Sequence, residues 1–413
     1  MIAEDPADRT EVNLAPWEAA IHELAAFERP SASEGERRAA EWIADHLRAL
    51  GWPTRVEQEE AHGGYWWPLA LANALAAGGA AVALRRRGAV SRLAGALAGA
   101  AGAAAVWDDV SGGELRFRRA LFRRRPTWNV IAEAGDPNAE AGDPNAARTV
   151  IVVAHHDAAH SGLVFHPALS RIGPKLAPRL HERSRHTLPI MHAVWGGPLM
   201  VAAGSALGAR WLVKAGLALS LGTVAVMSDI GARKSVPGAN DNLSAVAVVL
   251  ALADRLRDRP VEGLRVLLVS TGSEESFSEG MHGFARRHFP ALDPDRTEVL
   301  CLECLGGPTM IVLEGEGMLV MRDYPAHMRE ELAAAASEAG VTVERGIRTV
   351  AATDGLISMR RGYPTVTLAS VDYTKMPLNY HWPSDTPEAL NWETVKQAIA
   401  VSDRFLRRRA VAG

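Results

Sequence analysis

LRVLLVSTGSEESFSEG (residues 264–280) passes from an unbroken apolar run, through a glycine turn with two adjacent acids, to the first residues of a helix. LRVLLVST has strand length and no polar alternation, the pattern of a strand buried on both faces. Similar runs lie on either side of it. TWNVIAE (127–133), RTVIVVA (148–154), EVLCLEC (298–304), TMIVLEG (309–315) and PTVTLAS (364–370) read as apolar strands, and TRVEQEE (54–60) as a short one. Helical spacing of apolar residues marks 15–27, 32–49, 243–256, a stretch from about Glu279, 325–338 and 391–409. Strands alternating with helices predict a single α/β/α sandwich around a mixed, largely parallel sheet. Between the strands at 127–133 and 148–154 the heptapeptide AEAGDPN occurs twice, at 132–138 and 139–145. Gly-Asp-Pro-Asn is turn chemistry, so an elongated hairpin loop is expected there.

The chain has 413 residues, 48% hydrophobic and 23% charged, with a net charge of -3. This excludes a disordered or collagen-like protein, and the balance is not that of a nucleic-acid binder. With only Cys301 and Cys304, structural disulfides are not expected, which suits a reducing compartment. The N-terminus lacks the basic-then-apolar pattern of a secretory signal.

Four runs depart from the average. Tyr65–Leu84 and Leu93–Trp107 carry no charge, nor does Pro189–Ala209, and Trp211–Ser228 is broken only by Lys214. About twenty apolar residues span a bilayer. Gly95 with Gly99, and Gly204 with Gly208, have the spacing that lets helices approach closely. Trp66, Trp67, Trp107, Trp195 and Trp211 lie in or beside the runs, like an aromatic belt. Two readings stay open: membrane hairpins, which the length and the belt favour, or Ala-rich soluble helices forming a cap or a homo-oligomer interface.

Five motifs carry potential chemistry, each at a strand end or in a loop, where open α/β sheets bind ligands. In VVAHHDAAHSG, His155 ends a strand and Asp157 can fix its tautomer, with His156 and His160 as rivals. In PGANDNLSAV, Asp241 is a ligand or a helix cap. In STGSEESFSEG, Glu274 and Glu275 repel each other unless a cation lies between them. In VLCLECLGG, Glu303 lies in an apolar strand and needs a cation or a hydrogen-bond partner. In LNYHWPSDTP, His381 adjoins Tyr380, whose hydroxyl could stabilise an oxyanion.

Taken in order, these motifs resemble the co-catalytic di-zinc exopeptidases, the family of bacterial zinc aminopeptidases, glutamate carboxypeptidase and glutaminyl cyclase. The likeness covers residues 30–62, 127–161 and 236–410, including TDGLISMRRGYPTVTL (353–368). The resemblance implies two zinc ions per chain. Asp241 would bridge them, His155 and Glu303 would complete one site, and Glu275 and His381 the other. Glu274 would be the general base, Asp157 the partner of His155, and Tyr380 the oxyanion stabiliser. The implied function is hydrolysis of peptide bonds, most simply as an aminopeptidase. The alternatives are a glutaminyl-cyclase-like cyclotransferase or other amide hydrolase, and a membrane-anchored, non-catalytic binding module. Two departures stand out. Glu303 stands where the family usually has Asp, and His155 and Asp241 lie 86 residues apart (241 − 155), where about a dozen is typical of a functional loop.

The expected organisation is a catalytic domain of residues 1–62, 126–161 and 236–413, with hairpin insertions at 63–125 and 162–235. A peptide or amide substrate and membrane association follow, with no nucleic-acid partner. Thirteen basic residues flank the runs on the catalytic side: Arg116, Arg118, Arg119, Arg123–Arg125, Arg171, Lys175, Arg179, Arg183, Arg185, Arg233 and Lys234. Six lie at the tight loops: Arg85–Arg87, Arg92, Arg210 and Lys214. The excess predicts a cytoplasmic catalytic domain. Soluble runs would give a cytoplasmic protein.

Overall fold

The computed structural model describes residues 13–86, 88–135 and 148–411. In chain order, helices α1 (Ala15–Ala25) and α2 (Glu34–Ala49) lead to strand β1 (Thr54–Ala61). Helices α3 (Trp66–Arg85), α4 (Ala89–Val110) and α5 (Arg116–Leu121) precede β2 (Arg125–Gly135) and β3 (Thr149–His155). The short helices α6 (Pro167–Ser170), α7 (Ile172–Leu176) and α8 (Pro178–Arg183) then lead to α9 (Ile190–Leu207) and α10 (Arg210–Ala232). The remainder runs α11 (Ser244–Asp258), β4 (Arg265–Thr271), α12 (Glu279–His288), β5 (Thr297–Glu303), β6 (Thr309–Val312), β7 (Gly315–Glu316) and β8 (Arg322–Asp323). It ends with α13 (Ala326–Glu338), β9 (Arg348–Thr349), α14 (Asp354–Arg360), β10 (Thr365–Val371) and α15 (Trp392–Val411).

Seven strands form one sheet in the order β1-β2-β4-β3-β5-β10-β6. The central β4, β3, β5 and β10 are parallel, while β1, β2 and β6 add antiparallel edges. The central strands are apolar on both faces because both are covered. Val150, Val152 and Ala154 pack in a core with α1, α2, α11, α13 and α15, and Ile151 and Val153 pack in the opposite core with α12 and α14. This is the expected sandwich.

Two expectations change. β2 and β3 do not form a hairpin, because β4 lies between them: Val130 and Ala154 both face Ser270. The heptapeptide repeat that prompted the hairpin lies largely outside the described residues. TMIVLEG is not one strand either. Its first part is β6, and Gly315–Glu316 forms the centre of a small sheet with β8 and β9.

The four apolar runs are helices α3, α4, α9 and α10, packed against one another as a bundle. Each is long and apolar enough to cross a membrane. The run read as 93–107 is part of a 22-residue helix, about 33 Å long at 1.5 Å per residue, because Ser91 and Arg92 belong to it. Small and polar side chains fill the bundle interior. A β-carbon on Gly99 would lie 2.4 Å from the Ala202 nitrogen, and one on Gly95 2.6 Å from Ser205 Oγ. Asn73, Ser205, Ser220 and Thr223 are buried, whereas Leu71, Leu75, Leu93, Leu97 and Trp211 face outward. At the tips, Arg92 donates to the carbonyls of Ser205 (3.1 Å) and Ala206 (2.5 Å), and Arg210 to that of Leu84 (2.9 Å). These cations satisfy helix C-termini, a role independent of which side of a membrane they occupy.

Arg118 does not belong among the flanking surface charges. It is wholly buried and forms a two-pronged pair with Asp109, at 3.1 and 2.8 Å. Its Nη1 also donates to the Ser276 carbonyl (2.6 Å) and lies 3.4 Å from Glu279. Glu279 in turn contacts His62 Nδ1 at 2.6 Å. The foot of α4 is thereby joined to the turn that carries Glu274 and Glu275.

Candidate active site

The C-terminal ends of the central parallel strands converge on one cluster. His155 is the last residue of β3 and Glu303 the last of β5. Glu274 and Glu275 occupy a tight turn after β4, Asp241 a kinked turn before α11, and His381 the loop after β10. His155 Nε2 lies 3.3 Å from Asp241 Oδ1 and 3.6 Å from Glu303 Oε1. His381 Nε2 lies 3.2 Å from Asp241 Oδ2 and 3.2 Å from Glu275 Oε2. The five expected ligand side chains thus come together as two donor triads sharing one carboxylate, with a different oxygen facing each.

The donor set fits zinc. Metal–donor bonds of 2.0–2.1 Å set tetrahedral donor–donor edges of about 3.4 Å, close to the four distances above. His155 Nδ1 and Nε2, Glu275 Oε1 and His381 Nδ1 are buried without a hydrogen-bond partner, and buried polar atoms are ordinarily satisfied. Glu303, despite its longer arm, is held in place: Oε2 accepts from Asn242 Nδ2 (3.2 Å), and Oε1 lies 3.3 Å from Cys304 Sγ.

His156 and His160 are elsewhere. His156 Nδ1 faces Ser270 Oγ at 2.9 Å, and His160 packs against Trp66 in a tilted contact with ring centroids 4.3 Å apart. Cys301 and Cys304 are free and buried, and neither joins a group of ligand-type side chains among the described residues.

Burial, with the nearby carboxylates of Glu303, Asp354 and Glu275, pushes Glu274 well above the usual carboxylate range. Burial also raises Glu275 to about 7. His155 moves the opposite way from what burial alone would produce: Asp157, Asp241 and Glu303 raise it well above the ordinary histidine value. So many acids in one buried volume demand a compensating cation.

The turn itself is strained. Ser273, Phe277 and Ser278 all adopt left-handed φ, of 51°, 64° and 55°, a conformation that non-glycine residues keep only when their surroundings enforce it. Asp157 accepts from the Glu274 and Glu275 amides (3.0 and 3.2 Å) and from Ser31 Oγ (2.6 Å), while its Oδ1 lies 3.4 Å from His155 Nδ1. Glu36 accepts from the Ser273 amide (3.1 Å), the Ala32 amide (2.7 Å) and Thr127 Oγ1 (2.6 Å).

Glu36, Asp385 and Asn242 were not singled out by the sequence reading. Asp385 accepts from the amides of Asn240 (2.7 Å) and Asp241 (3.1 Å), fixing the turn that presents Asp241. It lies in the quoted motif LNYHWPSDTP and could have been noticed there. Glu36 had a local signal, because Ser33 and Glu36 form a capping-box pattern. Ser33 does cap the helix, accepting from the Glu36 amide at 3.2 Å, but the Glu36 carboxylate also holds the turn that carries Glu274 and Glu275.

A cavity of about 150 Å³ opens from the cluster towards the bundle. Its wall includes Tyr65, Val110, Phe165, Met191, Met227 and Ile230 from residues 63–125 and 162–235, together with Phe277 and Tyr380. Tyr65 stacks on Phe277 at 4.8 Å, and Phe165 meets His381 edge-on at 4.6 Å. Tyr380 stacks on His381 at 3.8 Å.

Residues 221–405, which carry Asp241, Glu274, Glu275, Glu303 and His381, match the model of peptidase family M28. The chain resembles the M28 zinc exopeptidases. Both likenesses, the family match over residues 221–405 and the fold, support a zinc-metallopeptidase-like hydrolase. The aminopeptidase from Aneurinibacillus sp. strain AM-1 superposes with a TM-score of 0.53 at 14% identity, over 95% of this chain and 93% of its own. A zinc aminopeptidase from Bacillus subtilis gives 0.52 at 14%, over 96% and 95%. The glutaminyl cyclase of Bacteroides thetaiotaomicron gives 0.53 at 13%, over 96% and 97%. At these identities the likeness is one of fold. Sequence comparison with curated proteins gives no match.

Proposed function

We propose that this chain is a di-zinc aminopeptidase whose catalytic domain (1–62, 126–161 and 236–413) is anchored by membrane hairpins in the insertions 63–125 and 162–235. The observation that carries the zinc reading is Asp241, whose two oxygens face separate donor pairs, His155 with Glu303 and His381 with Glu275. Zinc bound there supplies Lewis acidity towards the scissile carbonyl and the attacking water. Asp157, whose Oδ1 lies 3.4 Å from His155 Nδ1, draws the ring proton to that nitrogen by its charge and leaves Nε2 to the cluster. Glu274 takes the proton from the attacking water and returns it to the leaving amine, a task that its raised proton affinity suits. Tyr380 donates to the carbonyl oxygen as it gains charge.

The cavity chemistry favours a free amine over a terminal carboxylate. Among the described residues lining it, the one lysine or arginine is Lys375. Its Nζ is engaged by the carbonyls of His181 and Ser184, at 2.6 Å each. A terminal carboxylate therefore meets no unengaged lysine or arginine among the described lining residues.

The membrane reading rests on the inverted bundle, with leucines and tryptophan outside and glycine, serine and asparagine inside. The excess of basic residues near its catalytic end supports a cytoplasmic catalytic domain. Elemental analysis is expected to find two zinc ions per chain, and Asp241→Ala to lose both. One zinc per chain would favour a cyclotransferase, and folded protein without zinc would favour the binding-module reading. Cleavage of aminoacyl but not N-blocked peptides checks the aminopeptidase assignment. Recovery in the soluble fraction without detergent would reject the anchor.

A further inference from the structure

Residues 163–188 connect the cluster to α9 through α6, α7 and α8, and their surface is unusual for a loop in water. Leu163, Leu169, Ile172, Leu176, Leu180 and Leu188 expose between 46% and 81% of their surface. Arg171, Lys175, Arg179, Arg183 and Arg185 stand against the single acid Glu182, so the segment carries a formal charge of +4 (5 − 1). Isolated exposed leucines need no explanation; six in 26 residues (163 to 188) interleaved with five cations do.

The segment is held from behind. Lys375 binds the His181 and Ser184 carbonyls, His181 Nε2 faces the Tyr373 carbonyl at 2.9 Å, and the Thr187 amide donates to the Arg348 carbonyl at 3.1 Å. These contacts tie its main chain to the catalytic domain. Its beginning is tied to the bundle, where the Leu163 amide donates to Asp229 of α10 at 2.6 Å. Its end runs into Ile190, the first residue of α9. The segment therefore lies level with the catalytic-side ends of two helices that can cross a membrane.

We propose that residues 163–188 form an interfacial cuff on an anionic phospholipid bilayer, with the leucines and Ile172 at the acyl boundary and the cations among the phosphates. Charge complementarity and continuity with the apolar bundle select this occupant over a second protein surface. The proposal rests on the membrane reading above and adds to it a second, peripheral contact. Leu188 and Phe165 also line the catalytic cavity, so the cuff brings the cavity wall to the headgroup layer. The substrate class that this favours is a peptide or amide with an apolar end that partitions into the bilayer.

Depth-dependent quenching tests this on the full chain in proteoliposomes. Cys301 and Cys304 are each about 1% exposed, so an environment-sensitive fluorophore can be directed to Leu176→Cys, Leu97→Cys or Val320→Cys, all at exposed positions. Spin-labelled lipids carry the quencher near the headgroup or at the chain end. In phosphatidylglycerol-containing vesicles the probe at 176 should lose most of its emission to the headgroup-proximal quencher, the probe at 97 to the chain-end quencher, and the probe at 320 to neither. Quenching at 97 but not at 176 overturns the cuff and leaves the anchor standing. Quenching at 176 but not at 97 supports the cuff and rejects the anchor; quenching at neither rejects both. A blue shift at 176 without lipid quenching means that protein covers the segment, which also overturns the proposal. Equal quenching at 176 in pure phosphatidylcholine would overturn the role of the cations.

Discussion

The sandwich and the bundle solve opposite packing problems. In the sandwich, Leu268, Val152 and Leu300 are wholly buried and charged side chains lie mostly outside or at the site. In the bundle, large apolar side chains are outside, and glycine, alanine, serine and asparagine make the helix contacts. Water expels apolar area, so the sandwich is held by what it buries. A bundle in lipid would have no such drive between its helices, and close backbone approach would take its place. The same chain thus carries two kinds of interior.

This contrast can be broken or sharpened by substitution. The largest effect belongs to the site. Glu274→Gln is expected to keep its zinc and lose about 10²–10⁴ in turnover, measured by single-turnover assay beside elemental analysis; near-normal turnover would remove Glu274 as the base. Next is the sandwich, where Leu268→Ala should cost about 2–5 kcal/mol in denaturant unfolding.

The boundary between the regions responds to pH. Glu279 is lowered from 4.5 to about 2, where the Arg118 charge outweighs the cost of burial. Because the folded value is depressed, its contribution is complete above about pH 4.5 and is lost as pH falls towards 2. That contribution is about 3 kcal/mol. Glu279→Gln should flatten the fall in stability over that window, and an unchanged slope would show that the Arg118 pair does not couple to folding. Gly99→Val should loosen the bundle by about 1–3 kcal/mol through overpacking against Ala202, read by thermal unfolding in detergent. Leu97→Ala, on the outer face, should stay within about 0.5 kcal/mol. If small-to-large changes were tolerated at Gly99 while Leu97→Ala destabilised the protein, the bundle would be an ordinary soluble core.

The central strands were legible because their composition announces burial on both faces, and the acids and histidines at their ends stood out against it. His155, Asp241, Glu274, Glu275, Glu303 and His381 lie together in one cluster. The order of the sheet was not legible, because β4 enters between β2 and β3 from more than a hundred residues along the chain. Nor was the second layer of the site. Asp385 and Glu36 act on main-chain amides 144 and 237 positions away, and no local pattern encodes an acceptor for a distant N–H. Arg118 looked like a surface cation because its partners Asp109 and Ser276 are supplied only by tertiary folding.

The crossing of arginines between the hairpin tips has a consequence for synthesis. Helix α4 ends at Val110 and its partner α9 begins at Ile190, 80 residues later (190 − 110). At about 5–20 residues per second the first hairpin waits roughly 4–16 s before synthesis of the second begins. During that interval Arg92 has no Ser205 carbonyl to bind, and Gly99 faces no neighbour. The first hairpin is therefore a client in waiting, and the cavity beside the histidine and carboxylate cluster acquires its full wall only when the second arrives.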